Sequence, residues 1–325
     1  MAEAIVIREY GAADVMKIEQ VDIPKPGRGE LHIKQTMVGV NYHDVYVRSG
    51  LYKTLALPGT PGCEATGVVA KIGEGVTGFA VGDRIAYVTA GYGAYASERI
   101  LPAALALKLD DEISDGLAAS TLLRAMTVEM LMCRVHRIKA GMTILVHAAA
   151  GGMGRLLCQW ASHQGATVIG TVGSAEKAEI ACQSGCQHTI LYREADFAQA
   201  VAELTDGKGV DVVYDSVGAD TFAGSIESLA MCGHLVNFGQ SSGPVDPLLM
   251  STLAAKSLTV SRPILFHYMS DPEQYRVMAD TVFEAFRKGV LRTEDELMPF
   301  VLADAGKAHD TLERRTGGGS LVLMV

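Results

Sequence analysis

The 325-residue sequence has no cluster of lysine and arginine, and its formal net charge at pH 7 is −9. Nucleic acid is therefore not expected as a partner, because phosphate binding needs concentrated positive charge. The start of the chain, MAEAIVIREYG, alternates apolar and polar residues and lacks the basic stretch and apolar run of a secretion signal. No apolar run long enough to cross a membrane is evident. We therefore expect a cytoplasmic protein with no membrane partner.

Cysteine is scarce, with six residues, and its spacing is uninformative. Only Cys182 and Cys186 lie close in sequence, four positions apart in a predicted helix. A metal or redox site would need further partners at ligand spacing, and none is evident. The simpler interpretation is two small residues near a helix end. A cytoplasmic chain of this size needs no disulfide.

The composition, 49% hydrophobic and 20% charged, is that of a compact globular protein. Its length predicts about two domains. Residues 1–124 contain short β-like runs punctuated by Gly and Pro clusters, including ELHIKQTMVGVN, EATGVVAKIGEGV and DRIAYV. This pattern predicts a barrel-like β domain.

Residues 125–267 alternate between apolar strands and helices, which predicts an α/β fold with a parallel sheet covered on both faces. The last stretch, 268–325, opens with the amphipathic helix DPEQYRVMADTVFEAFRKGVL, which runs to a glycine stop. It closes with the β-like GGGSLVLMV. That tail is too short to fold alone, so we expect it to return to the first domain.

The segment VHAAAGGMGRLLCQWASHQG (146–165) has the pattern of a strand, a turn and a helix, with an altered dinucleotide fingerprint. Ala149 occupies the first glycine position, where a small residue can still turn. Gly151 and Gly154 keep the positions for close phosphate approach and for close packing of the helix. Leu156, Leu157, Trp160 and Ala161 form an apolar face that Gly165 ends. The alternative is inert alanine-rich packing; we favour a cofactor whose phosphates meet the helix N-terminus.

The second strand of this unit ends at Gly173 and Ser174, without the acid that usually binds the ribose 2′-hydroxyl of NAD. Lys177 follows one helical turn later and could pair with a 2′-phosphate. The neighbouring Glu176 would disfavour binding of a 2′-phosphate unless its side chain points outward. The alternative is that Lys177 is a solvated surface residue. The sequence favours NADPH.

Several motifs together resemble the zinc-independent quinone oxidoreductases, the zeta-crystallin-like branch of the medium-chain dehydrogenase/reductase superfamily. They are GVNYHDVYVRSGLY, EATGVVAKIGEGV, HAAAGGMG, VVYDSVG and NFGQSSG, and the resemblance spans the whole chain. It implies an α/β fold with a GroES-like catalytic domain (1–124), a Rossmann doubly wound parallel-sheet domain (125–267) and a C-terminal segment (268–325) that completes the catalytic domain. The cofactor would lie in the cleft between the domains.

The resemblance also implies the cofactor contacts. Asn41 and Tyr46 approach the nicotinamide end, with Thr127 nearby. The residues around the pyrophosphate are Gly151, Gly152, Met153 and Gly154. Those around the 2′-phosphate are Lys177, Tyr192 and Arg315, and those on the far wall of the groove are Ser216, Phe238, Gly239 and Ser241. An aromatic ring and a planar cation suit an adenosine phosphate, although each of Tyr192 and Arg315 alone could be a surface residue.

The ligand set of the zinc alcohol dehydrogenases is altered here. Asn41 stands in a usual cysteine position, and the usual Gly-His-Glu is Gly62-Cys63-Glu64. Cys63, Glu64 and His43 could in principle bind zinc. A packed thiol and a polar surface or cleft histidine are the simpler interpretations, and we predict no metal.

A quinone is already electrophilic, so orientation could supply most of its activation. Asn41 and Tyr46 could hydrogen-bond the quinone oxygen or position the cofactor carboxamide, and Tyr52 could line the same pocket. Tyr46 could equally be an aromatic that packs on the cofactor.

Three functions remain open at this stage. The leading one is NADPH-dependent quinone reduction, the second is enoyl or 2-alkenal reduction on the same fold, and the third is non-catalytic NADPH binding. The strand in SLTVSRPILF would lie at the edge of the parallel sheet, and the resemblance implies a homodimer built through that edge. Arg262 follows that strand and could face either the cleft or the partner.

Overall fold

The computed structural model describes residues 1–292, 297–314 and 319–325. The chain forms two compact units. The first comprises Met1–Leu123, Met269–Arg287 and Thr293–Val325, and the second comprises Arg124–Tyr268 and Lys288–Arg292.

The secondary structure follows the predicted alternation of strands and helices. The strands of the described residues are β1 Ala2–Val6, β2 Lys17–Val21, β3 Glu30–Gly39, β4 Glu64–Ile72, β5 Arg84–Val88, β6 Glu98–Pro102, β7 Leu107–Lys108, β8 Thr143–Val146, β9 Thr167–Val172, β10 His188–Leu191, β11 Val210–Asp215, β12 Leu229–Asn237, β13 Thr259–Ser261, β14 Leu297–Val301 and β15 Ser320–Met324. The helices are α1 Tyr42–Ser49, α2 Asp115–Glu129, α3 Gly152–His163, α4 Ala175–Gln183, α5 Phe197–Leu204, α6 Phe222–Ser228, α7 Met250–Ala254, α8 Leu265–Tyr268, α9 Pro272–Arg287 and α10 Ala305–Arg314.

The first unit is built on a sheet with the order β14-β15-β3-β4-β5-β7, and β6 also pairs with β3. β1 and β2 form a separate antiparallel pair. The C-terminal strand β15 pairs antiparallel with β3 and parallel with β14, so the tail of the chain lies in the first unit. Ile33, Ile85 and Val322, on three of these strands, are fully buried in the core.

The second unit contains a six-stranded sheet with the order β10-β9-β8-β11-β12-β13. Every neighbouring pair in it is parallel. Numbered within the unit, this is the order 3-2-1-4-5-6 of the Rossmann fold, whose ligands bind beyond the carboxyl ends of the strands where the order reverses. Here that point lies between β8 and β11. Leu145, Ile169, Val213 and Leu235 form its buried core, and the predicted fold class is confirmed.

The amphipathic helix near the C-terminus is α9, and it lies in the first unit. Tyr275, Met278 and Val282 lie on its buried face. The Tyr275 hydroxyl accepts a hydrogen bond from the backbone of Val88 and donates one to the carbonyl of Leu105. These contacts fix the helix to the β-rich unit.

One expectation is corrected by the segment Asp115–Val135, which consists of α2 and a following π-helical turn. Within its 21 residues, an 18-residue window has a mean hydropathy of 1.2, which by length and composition would suffice to cross a membrane. The expectation that no apolar run of that length exists is therefore wrong. However, 78% of its most apolar window is buried inside the protein. A core helix that is apolar on all sides passes the same test of length and hydropathy.

Candidate cofactor and substrate sites

The turn between β8 and α3 is shaped by close backbone contacts. Ala148 adopts a left-handed conformation with φ of 52°, and its carbonyl accepts a hydrogen bond from the Gly151 N–H at 2.8 Å. A Cβ on Gly154 would lie 2.2 Å from that same carbonyl oxygen. Backbone atoms cannot move away as a flexible side chain can. Gly154 is therefore sterically required, as the fingerprint predicts.

Ala149, in the first position of the fingerprint, is fully buried, and its N–H donates to the carbonyl of Thr171 at 3.1 Å. A Cβ on Gly170 of β9 would come within 2.5 Å of the Ala149 Cβ. The missing glycine of the fingerprint is thus compensated by a glycine on the neighbouring strand, which leaves room for the Ala149 methyl. The residue that takes the left-handed turn is Ala148, one position earlier than the sequence suggested.

Helix α3 begins at Gly152, with Gly151 as its N-cap. No acidic side chain occupies its first turn, so the unpaired N–H groups there remain suited to an anion. The helix ends where predicted: Gly165 has φ of 81°, and the N–H of Ala166 reaches back to the carbonyl of Ala161. The predicted apolar face is buried and consists of Leu156, Leu157, Trp160 and Ala161.

Arg124 is a residue of this region that the sequence analysis missed. A Cβ on Gly152 would lie 2.1 Å from its Nη1 atom, so the guanidinium lies directly over the start of α3. Met153, the next residue of the turn, is half-buried. Arg124 is 28 positions before Gly152 in the sequence, and no local pattern connects the two. Its charge adds to the positive end of the helix dipole.

The end of β9 gathers the residues predicted for the 2′-phosphate. Ser174 is the N-cap of α4, and its Oγ accepts the N–H of Lys177 at 3.4 Å. A Cβ on Gly173 would lie 3.0 Å from the Tyr192 hydroxyl. The side chains of Lys177 and Tyr192 are both exposed. The structure therefore brings Gly173, Ser174, Lys177 and Tyr192 to one place, whereas Arg315 lies outside the described residues.

The carboxyl ends of β11 and β12 are joined by backbone hydrogen bonds. The N–H of Phe238 donates to Asp215 at 2.8 Å, and that of Ser241 donates to Ser216 at 3.2 Å. A Cβ on Gly239 would meet the Ser216 carbonyl oxygen at 2.5 Å. The four residues predicted for the far wall of the groove lie together as a result; they are Ser216, Phe238, Gly239 and Ser241.

His147 is a second residue that sequence reasoning missed. It is buried at the end of β8, where its Nδ1 lies 3.0 Å from the Thr171 hydroxyl and its Nε2 lies 2.9 Å from the Ser225 hydroxyl. Burial lowers the pKa of His147 to about 4, so the ring is neutral and pairs with one hydroxyl as donor and the other as acceptor. Through these two hydrogen bonds His147 connects the end of β8 with β9 and α6.

In the first unit, Asn41 is engaged on both its backbone and its side chain. It is the N-cap of α1, and its N–H donates to Asp44 Oδ2 at 2.8 Å. Its Nδ2 donates to Glu64 Oε1 at 2.6 Å, and the other carboxylate oxygen of Glu64 accepts the N–H of Leu123 at 2.7 Å. These contacts fix the Asn41 amide in one orientation.

Cys63 is fully buried, as the interpretation of a packed thiol predicts. Burial raises the pKa of the thiol well above its usual value, so it is not poised to become a thiolate ligand. Burial likewise raises the pKa of Asp44 to about 7. The Tyr95 hydroxyl lies 3.2 Å from Asp44 Oδ2 and 2.9 Å from Nε2 of His309. Within residues 1–292, 297–314 and 319–325, no three His, Cys, Asp or Glu side chains form a group that could hold a metal.

Aromatic rings assemble around the end of α1. The rings of Tyr46 and Tyr52 meet edge to face with centroids 5.1 Å apart, and the Tyr52 N–H donates to the Tyr46 carbonyl at 2.9 Å. His43 contacts Tyr52 with ring centroids 5.8 Å apart and stacks on Tyr92 at 6.0 Å. Burial lowers the pKa of His43 to about 4. We name these four residues the aromatic cluster. Thr127, by contrast, is a half-buried residue of α2 in the second unit.

Comparison with known proteins first defines the class. Residues 27–111 match the family described as alcohol dehydrogenase GroES-like domain, and residues 152–284 match the family described as zinc-binding dehydrogenase. A GroES-like domain joined to a Rossmann domain is the architecture of the medium-chain dehydrogenases and reductases.

Full-length relatives then narrow the class. The chain is 42% identical to a quinone oxidoreductase of Pseudomonas aeruginosa over 100% of both chains. It is 41% identical to a 2-haloacrylate reductase of a Burkholderia species, over 100% of this chain and 99% of that protein. The crystal structure of Escherichia coli quinone oxidoreductase complexed with NADPH superposes with a TM-score of 0.95 at 38% identity over 100% of both chains. The chain belongs to the quinone oxidoreductase family of the medium-chain dehydrogenase/reductase superfamily.

Proposed function

We propose that the chain catalyses the NADPH-dependent reduction of quinones without a catalytic metal. Support comes from the backbone-lined turn at Ala149–Gly154, from the neutral and basic residues at the end of β9, and from full-length similarity to quinone oxidoreductases. The observation that carries the proposal is the turn, since Gly154 is required by the backbone around it and the N–H groups of α3 remain suited to an anion.

The residues present fit a phosphorylated dinucleotide. Gly151, Gly152 and Met153 would approach the pyrophosphate, and Arg124 would add a cation beside it. For the 2′-phosphate we assign Lys177, Tyr192 and Arg315, together with Gly173 and Ser174. Ser216, Phe238, Gly239 and Ser241 would line the adjoining wall. We assign Thr127 to the nicotinamide end. When bound, NADPH supplies the hydride or electrons for the reaction.

The first unit supplies the groups for the acceptor. We assign Asn41 to hydrogen bonding with the quinone oxygen or the cofactor carboxamide, and Tyr46 and Tyr52 to the substrate pocket. The Glu64 contact holds the Asn41 amide in place before substrate arrives, so little reorganisation is needed. A quinone gains aromaticity on reduction and needs less electrophilic activation than a simple ketone.

Steady-state kinetics over an acceptor panel tests this proposal. The panel contains 1,4-benzoquinone, 9,10-phenanthrenequinone, a crotonyl thioester and 2-alkenals, each assayed with NADPH and with NADH. We expect turnover of the quinones with NADPH preferred. Tight NADPH binding with no turnover of any acceptor would instead support a non-catalytic NADPH-binding protein.

A second candidate is reduction of an activated carbon–carbon double bond, on the same fold and with the same cofactor. The specific observation that favours it is 41% identity to a 2-haloacrylate reductase over the full chain. Higher kcat/KM for the 2-alkenals or for 2-chloroacrylate than for both quinones would favour this function.

We further propose a cytoplasmic homodimer. β13 lies at one edge of the parallel sheet and pairs only with β12 among the described strands, so its outer edge could pair with a second copy. In this proposal residues 1–124 with 268–325 form the catalytic domain, and residues 125–267 form the cofactor domain. Sedimentation equilibrium would measure the oligomeric state.

A further inference from the structure

Two residues of the aromatic cluster, His43 and Tyr92, form a hydrogen-bonded chain with Thr54 that the proposed function does not use. Nε2 of His43 lies 3.3 Å from the hydroxyl of Tyr92, and that hydroxyl hydrogen-bonds the hydroxyl of Thr54. Tyr92 is buried and His43 is half-buried, whereas Thr54 is exposed. The chain of polar atoms therefore runs from the solvent to an imidazole inside the cluster, and all three residues belong to the first unit.

The backbone at Tyr92 is held in an unusual conformation. Its φ is 55°, and among described non-glycine residues with positive φ it is the one aromatic. Bulky side chains rarely adopt this region, and such strain concentrates at functional sites. Gly91 and Gly93 flank it; the N–H of Gly93 donates to the Thr60 carbonyl at 2.9 Å. The conformation directs the Tyr92 ring onto His43, where the two rings stack.

The protonation states suit proton transfer. Burial lowers the pKa of His43 to about 4, so at neutral pH its imidazole carries one proton and can donate from one nitrogen while accepting at the other. Burial raises the pKa of Tyr92 to about 12, so its hydroxyl keeps its proton and can donate to Nε2. A neutral donor–acceptor chain can pass a proton without creating a buried charge.

We propose that His43, Tyr92 and Thr54 form a proton relay that supplies the solvent proton needed to complete quinone reduction. The inference rests on the proposed function. It identifies His43 as the group that hands the proton to the substrate, and Tyr92 and Thr54 as residues that act through it. The contact of His43 with Tyr52, which we assign to the substrate pocket, is the observation that connects the relay to the reaction.

The step balances as follows. NADPH supplies two electrons and one proton as a hydride equivalent, which leaves a hydroquinone monoanion. Nδ1–H of His43 protonates the anionic oxygen while Nε2 takes the Tyr92 proton, Tyr92 takes that of Thr54, and Thr54 takes one from water. The net result is NADP⁺ and neutral hydroquinone, with one proton consumed from solvent. No group in the relay is oxidised or reduced.

Two variants interrupt the relay with little change in shape. Tyr92→Phe keeps the stacked ring and removes the hydroxyl, and Thr54→Val changes only an exposed side chain. The matched control is Tyr42→Phe. Tyr42 lies on the same helix as His43, but its hydroxyl donates to the Leu312 carbonyl at 3.1 Å and not to the relay. Thermal melting and NADPH affinity are measured for each variant, to separate proton transfer from folding and cofactor binding.

Comparing kcat for two quinone acceptors distinguishes a loss of proton transfer from a loss of structure, because a structural defect would lower kcat for both acceptors alike. 1,4-Benzoquinone gives a weakly acidic hydroquinone that needs a proton donor. Tetrachloro-1,4-benzoquinone gives a much more acidic hydroquinone that can leave as the anion. General acid catalysis contributes about 100-fold or more, and we expect Tyr92→Phe to lower kcat by about tenfold or more with benzoquinone only. Thr54→Val should show a smaller loss, and the solvent deuterium isotope effect should change in both relay variants but not in Tyr42→Phe.

The outcomes separate the relay from the proposed function. Equal losses for both acceptors in Tyr92→Phe, or an unchanged isotope effect in both relay variants, would overturn the relay and leave quinone reduction standing. A wild-type protein that reduces neither quinone would overturn the proposed function itself. Selective loss with benzoquinone, with melting temperature and NADPH affinity retained, would support the relay.

Discussion

The two units build their candidate sites in different ways. In the second unit the site consists mainly of backbone: a turn with one left-handed alanine, a required glycine and the N–H groups of a helix. In the first unit it consists of side chains held by other side chains, such as the Asn41 amide on Glu64 and the Tyr92 hydroxyl on Thr54. Phosphates can be bound by backbone dipoles, which any sequence provides, whereas positioning an acceptor needs particular functional groups.

The largest expected effect breaks the backbone site. Gly154→Ala places a methyl 2.2 Å from the Ala148 carbonyl oxygen, so the turn and helix must separate. We expect a loss of about 1–3 kcal/mol in the free energy of unfolding and no measurable NADPH binding. Denaturant unfolding and NADPH fluorescence titration measure the two quantities.

Gly151→Ala is the matched control, because its new Cβ would lie 3.1 Å from the same oxygen and its φ of −78° suits alanine. It should fold normally and bind NADPH about tenfold more weakly, equivalent to about 1.4 kcal/mol. Similar stability losses in both variants would show that the turn does not distinguish the two positions.

The side-chain site should respond to pH where the backbone site does not. Because burial raises the pKa of Asp44 to about 7, the protonated form is favoured in the folded state. Its contribution to stability is present below its ordinary pKa near 3.8 and is lost as the pH rises through about 7. Relative to wild type, Asp44→Asn should gain at least about 1.4 kcal/mol between pH 4 and pH 8, the equivalent of one pKa unit.

Chemical denaturation at several pH values measures this difference. Asp310→Asn, on the exposed side of α10, is the control and should follow wild type at every pH. A constant difference between Asp44→Asn and wild type across the range would contradict the account of the buried carboxyl.

A smaller effect is expected at the 2′-phosphate. Lys177→Met should reduce the preference for NADPH over NADH by about tenfold in kcat/KM, since a hydrogen bond to a charged group contributes about 1.5–3 kcal/mol and this one is exposed to solvent. Kinetics with NADH should be unchanged. Lys208→Met, an exposed lysine after α5, serves as control; an equal change in both variants would indicate a general charge effect.

The last prediction is that removal of metal ions has no effect on activity. Removal of divalent metals with a chelator should leave quinone reduction unchanged, because Cys63 is buried with a raised pKa and Glu64 is occupied by Asn41 and Leu123. Metal analysis of the purified protein accompanies the assay. Activity lost on chelation and restored by zinc would contradict the metal-free proposal.

The difference between the two sites also explains what could be predicted from sequence. The strand–turn–helix of residues 146–165 depends on local spacing, so its glycines, its buried face and its end at Gly165 could be read directly. The compensation of Ala149 by Gly170 could not, because the two residues meet only across neighbouring strands. The same holds for Arg124 over Gly152 and for His147 between Thr171 and Ser225.

In the first unit the distances in sequence are greater. The Tyr95 hydroxyl contacts Asp44 and also His309, which lies 214 positions after Tyr95 in the sequence. The stacking of His43 on Tyr92 depends on a left-handed backbone that no sequence pattern predicts. Local motifs therefore predict the position of a cofactor site better than the way in which an acceptor is activated. Asn41 illustrates this, since its position in the NYHD segment indicates a site but does not reveal its bond to Glu64.

We propose that the Ala149–Gly154 turn binds the pyrophosphate of NADPH and that the residues at the end of β9 give NADPH its preference over NADH. Calorimetric titration of the wild-type protein with each cofactor tests it most directly. We predict saturable binding of NADPH at least about tenfold tighter than NADH, equivalent to about 1.4 kcal/mol. Absence of binding, or tighter binding of NADH, would contradict the claim.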